Sequence, residues 1–211
     1  AYQILGCDWS SDVCSSDLGK TVTLTGATLT GAAAGNYSLA SVNTTTANIT
    51  ALGITGHFTV ANKVYDGTNS ASVQTRTLTG VLGTDDVQLT GGTATFNTAN
   101  AGLGKTVTLT GATLTGAAAG NYSLASVNTT TANITALGIT GHFTVANKVY
   151  DGTNSASVQT RTLTGVLAGD VANVSLSGGT ATFNTANAGT GKTVTLTGAT
   201  LTGAAAGNYS L

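Results

Sequence analysis

Apolar and hydroxyl side chains alternate along most of this chain with a period of two, the spacing of a β-strand whose two faces meet different surroundings. Thr106-Val107-Thr108-Leu109-Thr110 is the clearest run, with Val and Leu on one face and Thr on the other. After Gly111 the parity reverses, because Ala112 and Leu114 carry the apolar face one position out of step. A glycine at such a shift predicts a bulge or a tight bend. The same alternation predicts strands over 57–61, 71–74, 76–81, 87–90, 93–97, 122–126 and 131–136. No stretch sustains a capped 3.6-residue period. Residues 117–119, set between Gly116 and Gly120, read as a turn or a single helical turn.

The pattern repeats. Residues 19–82 and 104–167 are identical at every position, and the opening GKTVTLTGATLTGAAAGNYSL returns at 191–211. Successive copies differ in length in one place, VLGTDDVQLTGGT at 81–93 against VLAGDVANVSLSGGT at 166–180. Two residues inserted without disturbing the alternation behind them belong in a loop. The natural repeat runs over 51–135. Residues 19–50 are then the tail of an earlier copy, and 136–211 a later copy without its last strand.

Seven or eight short strands in each repeat, divided by Gly, Asn and Asp, predict an all-β fold of tandem two-sheet sandwiches. A β-solenoid is the alternative, but it requires a short sub-repeat that the chain does not carry. Ala118-Ala119-Gly120-Asn121-Tyr122 resembles the tyrosine corner of immunoglobulin-like domains, with Ala118 where Asp is usual. The resemblance implies that 107–114, 122–126 and 131–136 are the last three strands of such a domain, and that Tyr122 bonds back to the turn before it. The expected core is Phe58, Val60, Val64, Val73, Leu78, Val81, Leu89, Phe96, Val107, Leu109, Leu114, Tyr122, Leu124 and Ile134. With neither Pro nor a Gly/Ser run between repeats, residues 131–143 are expected to lead one repeat's last strand into the next repeat's first, as a semi-rigid rod.

Composition changes this picture at one end. Residues 8–18, DWSSDVCSSDL, resemble a translated sequencing adapter, so 1–18 are set apart from the fold. They hold Cys7, Cys14 and Trp9, the chain's two cysteines and its one tryptophan; read literally, the cysteines offer a disulfide or a metal pair. Without them there is no thiol chemistry. The formal charge of −1 becomes +2, from seven basic and five acidic residues, too small to imply nucleic acid or an anionic membrane. Charged residues are 7% of the chain, and hydroxyls carry its solubility instead. No apolar run approaches the ~20 residues of a spanning helix, so no membrane insertion is expected.

Candidate chemistry is sparse. Val64-Tyr65-Asp66-Gly67-Thr68-Asn69 recurs at 149–154, and Asp-Gly reads as a turn in which Asp caps and Gly takes positive φ. Tyr65 then plugs one end of the core. The alternative is a Ca²⁺ loop from Asp66, Asn69 and Asp85 or Asp86, although calcium takes 6–8 oxygen ligands and the chain has no Glu. His57 and His142, one per repeat, have no Cys, Glu or second His nearby and read as strand residues. Gly-Lys at 19–20, 104–105 and 191–192 lacks the first glycine of a phosphate loop and reads as a hairpin loop. No nucleophile elbow is present. No catalytic, cofactor or metal residues are therefore assigned, and no enzyme is expected. Flat Thr-x-Thr arrays can bind ice, but Thr is also simply the β-branched residue that suits an exposed strand.

Taken together, the Tyr-Asp-Gly motif, LTGVL, GGTATF, GKTVTLTG and GNYSL resemble the YDG repeat family of large bacterial haemagglutinin-like adhesins, often exported by two-partner secretion. The resemblance spans 19–211. It implies a bacterial cell-surface or extracellular location and a stalk or spacer role in cell adhesion, with neighbouring repeats as partners. A module binding a glycan, a host protein or ice is the alternative role, and the differing loop at 83–86 and 168–173 is where such a site would lie.

Overall fold

Alternating Thr and Val become strand almost throughout. The computed structural model describes residues 19–211, so the adapter-like segment with Cys7, Trp9 and Cys14 lies outside the described residues. Among the described residues there are seventeen strands, and helical structure is confined to three-residue 3-10 turns. The fold is all-β and built of packed sheets, as the alternation predicts.

Strands β1 (Lys20–Val22) and β2 (Thr45–Ala47) form an antiparallel pair. Eight strands follow: β3 (Leu52–Val60), β4 (Lys63–Val64), β5 (Ser70–Ala71), β6 (Val73–Thr79), β7 (Gln88–Phe96), β8 (Gly102–Thr115), β9 (Tyr122–Val127) and β10 (Thr130–Thr135). They make a three-stranded sheet in the order β6-β3-β9 and a five-stranded sheet in the order β4-β10-β8-β7-β5. The remaining strands are β11 (Leu137–Gly138), β12 (Thr140–Val145), β13 (Ser155–Ala156), β14 (Val158–Thr164), β15 (Ser175–Phe183), β16 (Val194–Thr202) and β17 (Tyr209–Ser210). They pair as β12-β14, β13-β15-β16 and β11-β17.

Contacts gather the chain into two compact units. Among the described residues, one comprises 19–56, 78–90 and 113–126, and it buries Ile54, Leu89 and Tyr122. Its residues 19–50 are almost wholly exposed, with Leu24, Tyr37 and Ile49 each more than half open to solvent. The other comprises 57–77, 91–112 and 127–211. It buries Phe58, Tyr65, Phe96, Val107, Leu109 and Ile134, together with Ile139, Val174, Leu176 and Tyr209. Ile54, Ala94 and Ala132 join the core beyond the expected set, and Tyr65 is buried as expected of a residue closing one end of it. Val64 leaves it: it is 52% exposed, because in the two-residue β4 the inward position falls to Tyr65 next door.

Two of the predicted strands, 87–90 and 93–97, are one strand, β7. Gly91 and Gly92 interrupt it at φ +66° and +80°, and Gly111 interrupts the neighbouring β8 at +72°. The following repeat shows how such strands match: Gly178 pairs with Ala199 and Thr180 with Thr197, so no residue is inserted across Gly179 and Gly198. The feature is a paired kink rather than a bulge. Left-handed residues reverse side-chain parity in both strands together, which keeps Leu89 and Ala94, and likewise Leu109 and Ala112, on inward positions.

The immunoglobulin-like strand assignment changes in detail. β9 and β10 lie in different sheets, with β10 on β8 and β4. Tyr122 turns away from the 3-10 turn Ala119–Asn121 before it: its hydroxyl accepts from the Leu82 amide (3.0 Å) and donates to Asp85 Oδ2 (2.6 Å), in the loop between β6 and β7.

Gly92 and Gly111 separate the two costs of such a kink. A Cβ at Gly92 would lie 3.0 Å from the Thr110 carbonyl oxygen and 3.1 Å from the Ala112 nitrogen, whereas at Gly111 it would meet nothing within 4 Å. Gly111→Ala should cost about 1–2 kcal/mol for φ alone, and Gly92→Ala about 2–4 kcal/mol with the added clash. Urea denaturation of the two variants checks that order; equal losses would contradict it.

Candidate functional site

The repeated Tyr-Asp-Gly motif is built as a polar turn ending in an aromatic side chain. Asp66 Oδ1 accepts from the Thr68 amide and hydroxyl, both at 2.9 Å, and pairs with Lys63 Nζ at 2.7 Å. Gly67 takes φ +78°, as an Asp-Gly turn requires. Lys63 also donates to the carbonyls of Thr68 and Ser70, and its ammonium lies 5.9 Å from the Phe96 ring centre. The Lys63 bond and the Thr68 donors hold the Asp66 carboxyl down at about 2. Lys148, Asp151, Thr153 and Phe183 repeat the arrangement, with a 2.7 Å ion pair and Asp151 also lowered to about 2.

The turn aims Tyr65 at the following repeat. Its hydroxyl donates to Asp170 Oδ2 at 2.8 Å, and its ring meets Tyr209 edge to face, with centroids 5.5 Å apart and planes at 79°. Tyr209 donates to the same Asp170 oxygen at 2.7 Å and accepts from the Leu167 amide at 3.2 Å. Asn208, 7% exposed, accepts from the Ala101 amide at 2.9 Å. Tyr65 is 6% exposed in this setting, and its counterpart Tyr150, with no such neighbour, is 64% exposed. Burial first, and then the Asp170 carboxylate, raise the hydroxyl pKa of both tyrosines, that of Tyr209 to about 12.

Backbone pairing on either side of this junction stays within each repeat. β10 runs antiparallel to β8 and parallel to β4, with Ile134 opposite Lys63 and Thr135 opposite Val64. After the single residue Ala136 the chain enters β11, which runs parallel to β17 with Leu137 opposite Tyr209. The 131–143 segment is thus a direct passage from strand to strand, without a linker.

The other candidates fall elsewhere. Asp85 is held by Tyr122, and Asp86 accepts from the Ala117 amide through Oδ2 and from Ala118 through its carbonyl. Among the described residues no three His, Cys, Asp or Glu side chains come together. His57 is half-buried with its Nδ1 3.5 Å from Asn128 Nδ2, and His142 is exposed with its Nε2 3.1 Å from Thr164 Oγ1. Gly104 and Lys105 lie inside β8 rather than in a hairpin loop, because the Asn133 side chain accepts from the Gly104 amide (2.8 Å) and ties β10 to that end.

A family model described as YDG domain matches the chain twice, over residues 45–132 and 130–211. The chain belongs to the YDG domain family. No curated protein and no solved structure matched it. In this YDG domain pair the tyrosine of the first tripeptide reaches the next copy, beside the Asn208 bond to Ala101, while its Asp and Gly build the turn that presents it. Sequence reading missed Asp170 and Asn208. One signal was available: the loop that gains two residues keeps an aspartate, since Asp85 and Asp170 bond Tyr122 and Tyr209 alike.

These YDG tyrosines give alkaline stability a defined sign. The folded state holds the neutral phenol, so the junction's contribution is complete below the ordinary tyrosine value near 10 and is lost as pH rises towards about 12. Denaturation midpoints should fall over that window, and Tyr209→Phe should flatten the fall. An unchanged slope in the variant would contradict the assignment.

Proposed function

We propose that this chain is a structural stalk, a spacer repeat of a secreted or cell-surface bacterial adhesin of the haemagglutinin-like kind, serving cell adhesion as part of a larger protein. The observation that carries this reading is the junction at Asp170, where tyrosines of two consecutive repeats donate to one carboxylate oxygen. A spacer must keep its repeats at fixed separation, and a buried polar bond joined to a one-residue passage between strands suits that task. The adhesin setting rests on the resemblance of the motif set to repeats of such proteins. Catalysis has no part in the reading: Asp66, Asp85, Asp86, Asp151 and Asp170 are all engaged in turns, loops or the junction.

Glycan and host-protein arrays probed with the intact chain test it. The stalk reading expects no saturable binding, together with stepwise, repeat-by-repeat unfolding under single-molecule force. Specific saturable binding to one glycan or protein would replace the stalk with a ligand-binding module.

A further inference from the structure

An asparagine two residues before a serine or threonine is the sequence that asparagine-linked glycosylation reads, provided that the residue between them is not proline. Eight asparagines between 19 and 211 meet this rule, and the chain contains no proline. In a chain so rich in threonine the rule alone selects little. The fold sorts these asparagines.

Two of the sequences are structural. Asn208, in Asn-Tyr-Ser, is 7% exposed; its Oδ1 accepts from the Ala101 amide and its Nδ2 donates to Asn100. Asn133, in Asn-Ile-Thr, lies inside β10 beside the buried Ile134, and its Oδ1 accepts from the Gly104 amide. Asn48, in a second Asn-Ile-Thr, holds the Gly19 amide in the same way. These side chains are already employed by the fold, which accounts for the recurrence of their sequences from copy to copy.

Asn173-Val174-Ser175 does not recur. Its counterpart reads Asp86-Val87-Gln88, so both outer positions change around an unchanged valine, where the copies differ in length. The change also frees a side chain. Asp86 Oδ2 accepts from the Ala117 amide at 3.2 Å, whereas Asn173 bonds, among the described residues, through its backbone alone, to Asp170 at 2.7 Å and Ala205 at 3.0 Å. Val174 points inwards at 6% exposure, and Asn173 and Ser175 on either side of it are both exposed. The acceptor amide and its hydroxyl partner therefore share the outward face.

Asn128-Thr129-Thr130 is open as well. Asn128 and Thr129 are the two residues between β9 and β10, and both are exposed. Thr130 pairs with Val107, in the middle of the fourteen-residue β8, so this passage lies at mid-length of the complete repeat. Asn128 Nδ2 stands 3.5 Å from His57 Nδ1. An amide nitrogen carries two hydrogens, so one can be replaced by a sugar while the other still faces His57.

We infer that Asn173 and Asn128 are glycosylated, each taking a sugar from a diphosphate-activated donor. Nδ2 bonds to the anomeric carbon, and the bond from that carbon to the donor's phosphate oxygen breaks. The diphosphate leaves with the electron pair, and one Nδ2 proton passes to a base of the transferase. The inference rests on the secreted or cell-surface location proposed above. Charged residues are only 7% of the chain, and sugars add hydration that charge does not supply.

Glycopeptide mass spectrometry of the chain recovered from the cells that make it, with electron-transfer fragmentation to keep each sugar on its residue, tests the inference. Sugar is expected on Asn173 and Asn128 and on neither Asn133 nor Asn208. Ser175→Ala should abolish the modification at Asn173 and leave that at Asn128, and Asn128→Gln should do the reverse. Ser175 and Asn128 are exposed, so circular dichroism of both variants should match the parent. A chain recovered outside the cell would overturn the inference, and leave the stalk reading standing, if either asparagine were bare. The same holds if the sugars sat on the hydroxyls of Thr129, Thr130 or Ser175, or if Asn173 stayed modified in Ser175→Ala. A chain found only in the cytoplasm would overturn the location and both readings with it.

Discussion

One carboxylate oxygen carries the link between repeats. Asp170 Oδ2 accepts a hydroxyl from Tyr65 at 2.8 Å and another from Tyr209 at 2.7 Å. Hydrogen bonds to an ionised acceptor are about twice as strong as neutral ones, and a buried phenol left without a partner is costly. The Tyr209 bond recurs as Tyr122 with Asp85 and closes a loop onto its own repeat. The Tyr65 bond is the added element. It places the motif's aromatic residue in the neighbouring repeat rather than in a core of its own.

The remainder of the motif serves that placement. A positive-φ Gly67 and an Asp66 bonded to Lys63 and Thr68 fix the turn in which Tyr65 leaves β4. The ion pair is half-exposed, so its weight lies in geometry more than in stability. The paired glycine kinks in β7 and β8 act at another level: they allow both strands to change parity while keeping register, so that apolar positions on either side of the kink face inwards.

Much of this could be read in the sequence. Strict Val/Thr alternation with a parity break at Gly111 gave strands and a kink, and the 64-residue identity gave the repeat. The insertion between Asp170 and Val174 is a loop, as the undisturbed alternation behind it implied. Long-range partners were not legible. Periodicity places Tyr65 at the end of a strand but cannot say that its hydroxyl meets a residue 105 positions away. Likewise Gly91-Gly92 reads as a break, and only the facing Gly111 makes it a kink within one strand. Val64 and Tyr65 were both expected inside, but neighbours on a strand face opposite ways, and Tyr65 takes the inward position while Val64 is 52% exposed.

The central claim, that the tyrosine of the motif and the loop aspartate of the next repeat are energetically joined, is tested most directly by a double-mutant cycle. Tyr65→Phe, Asp170→Asn and the double variant would be compared with the parent by equilibrium denaturation. The account predicts that the single losses do not add, with a coupling energy of about 1–2 kcal/mol. Additivity within about 0.3–0.5 kcal/mol would contradict it.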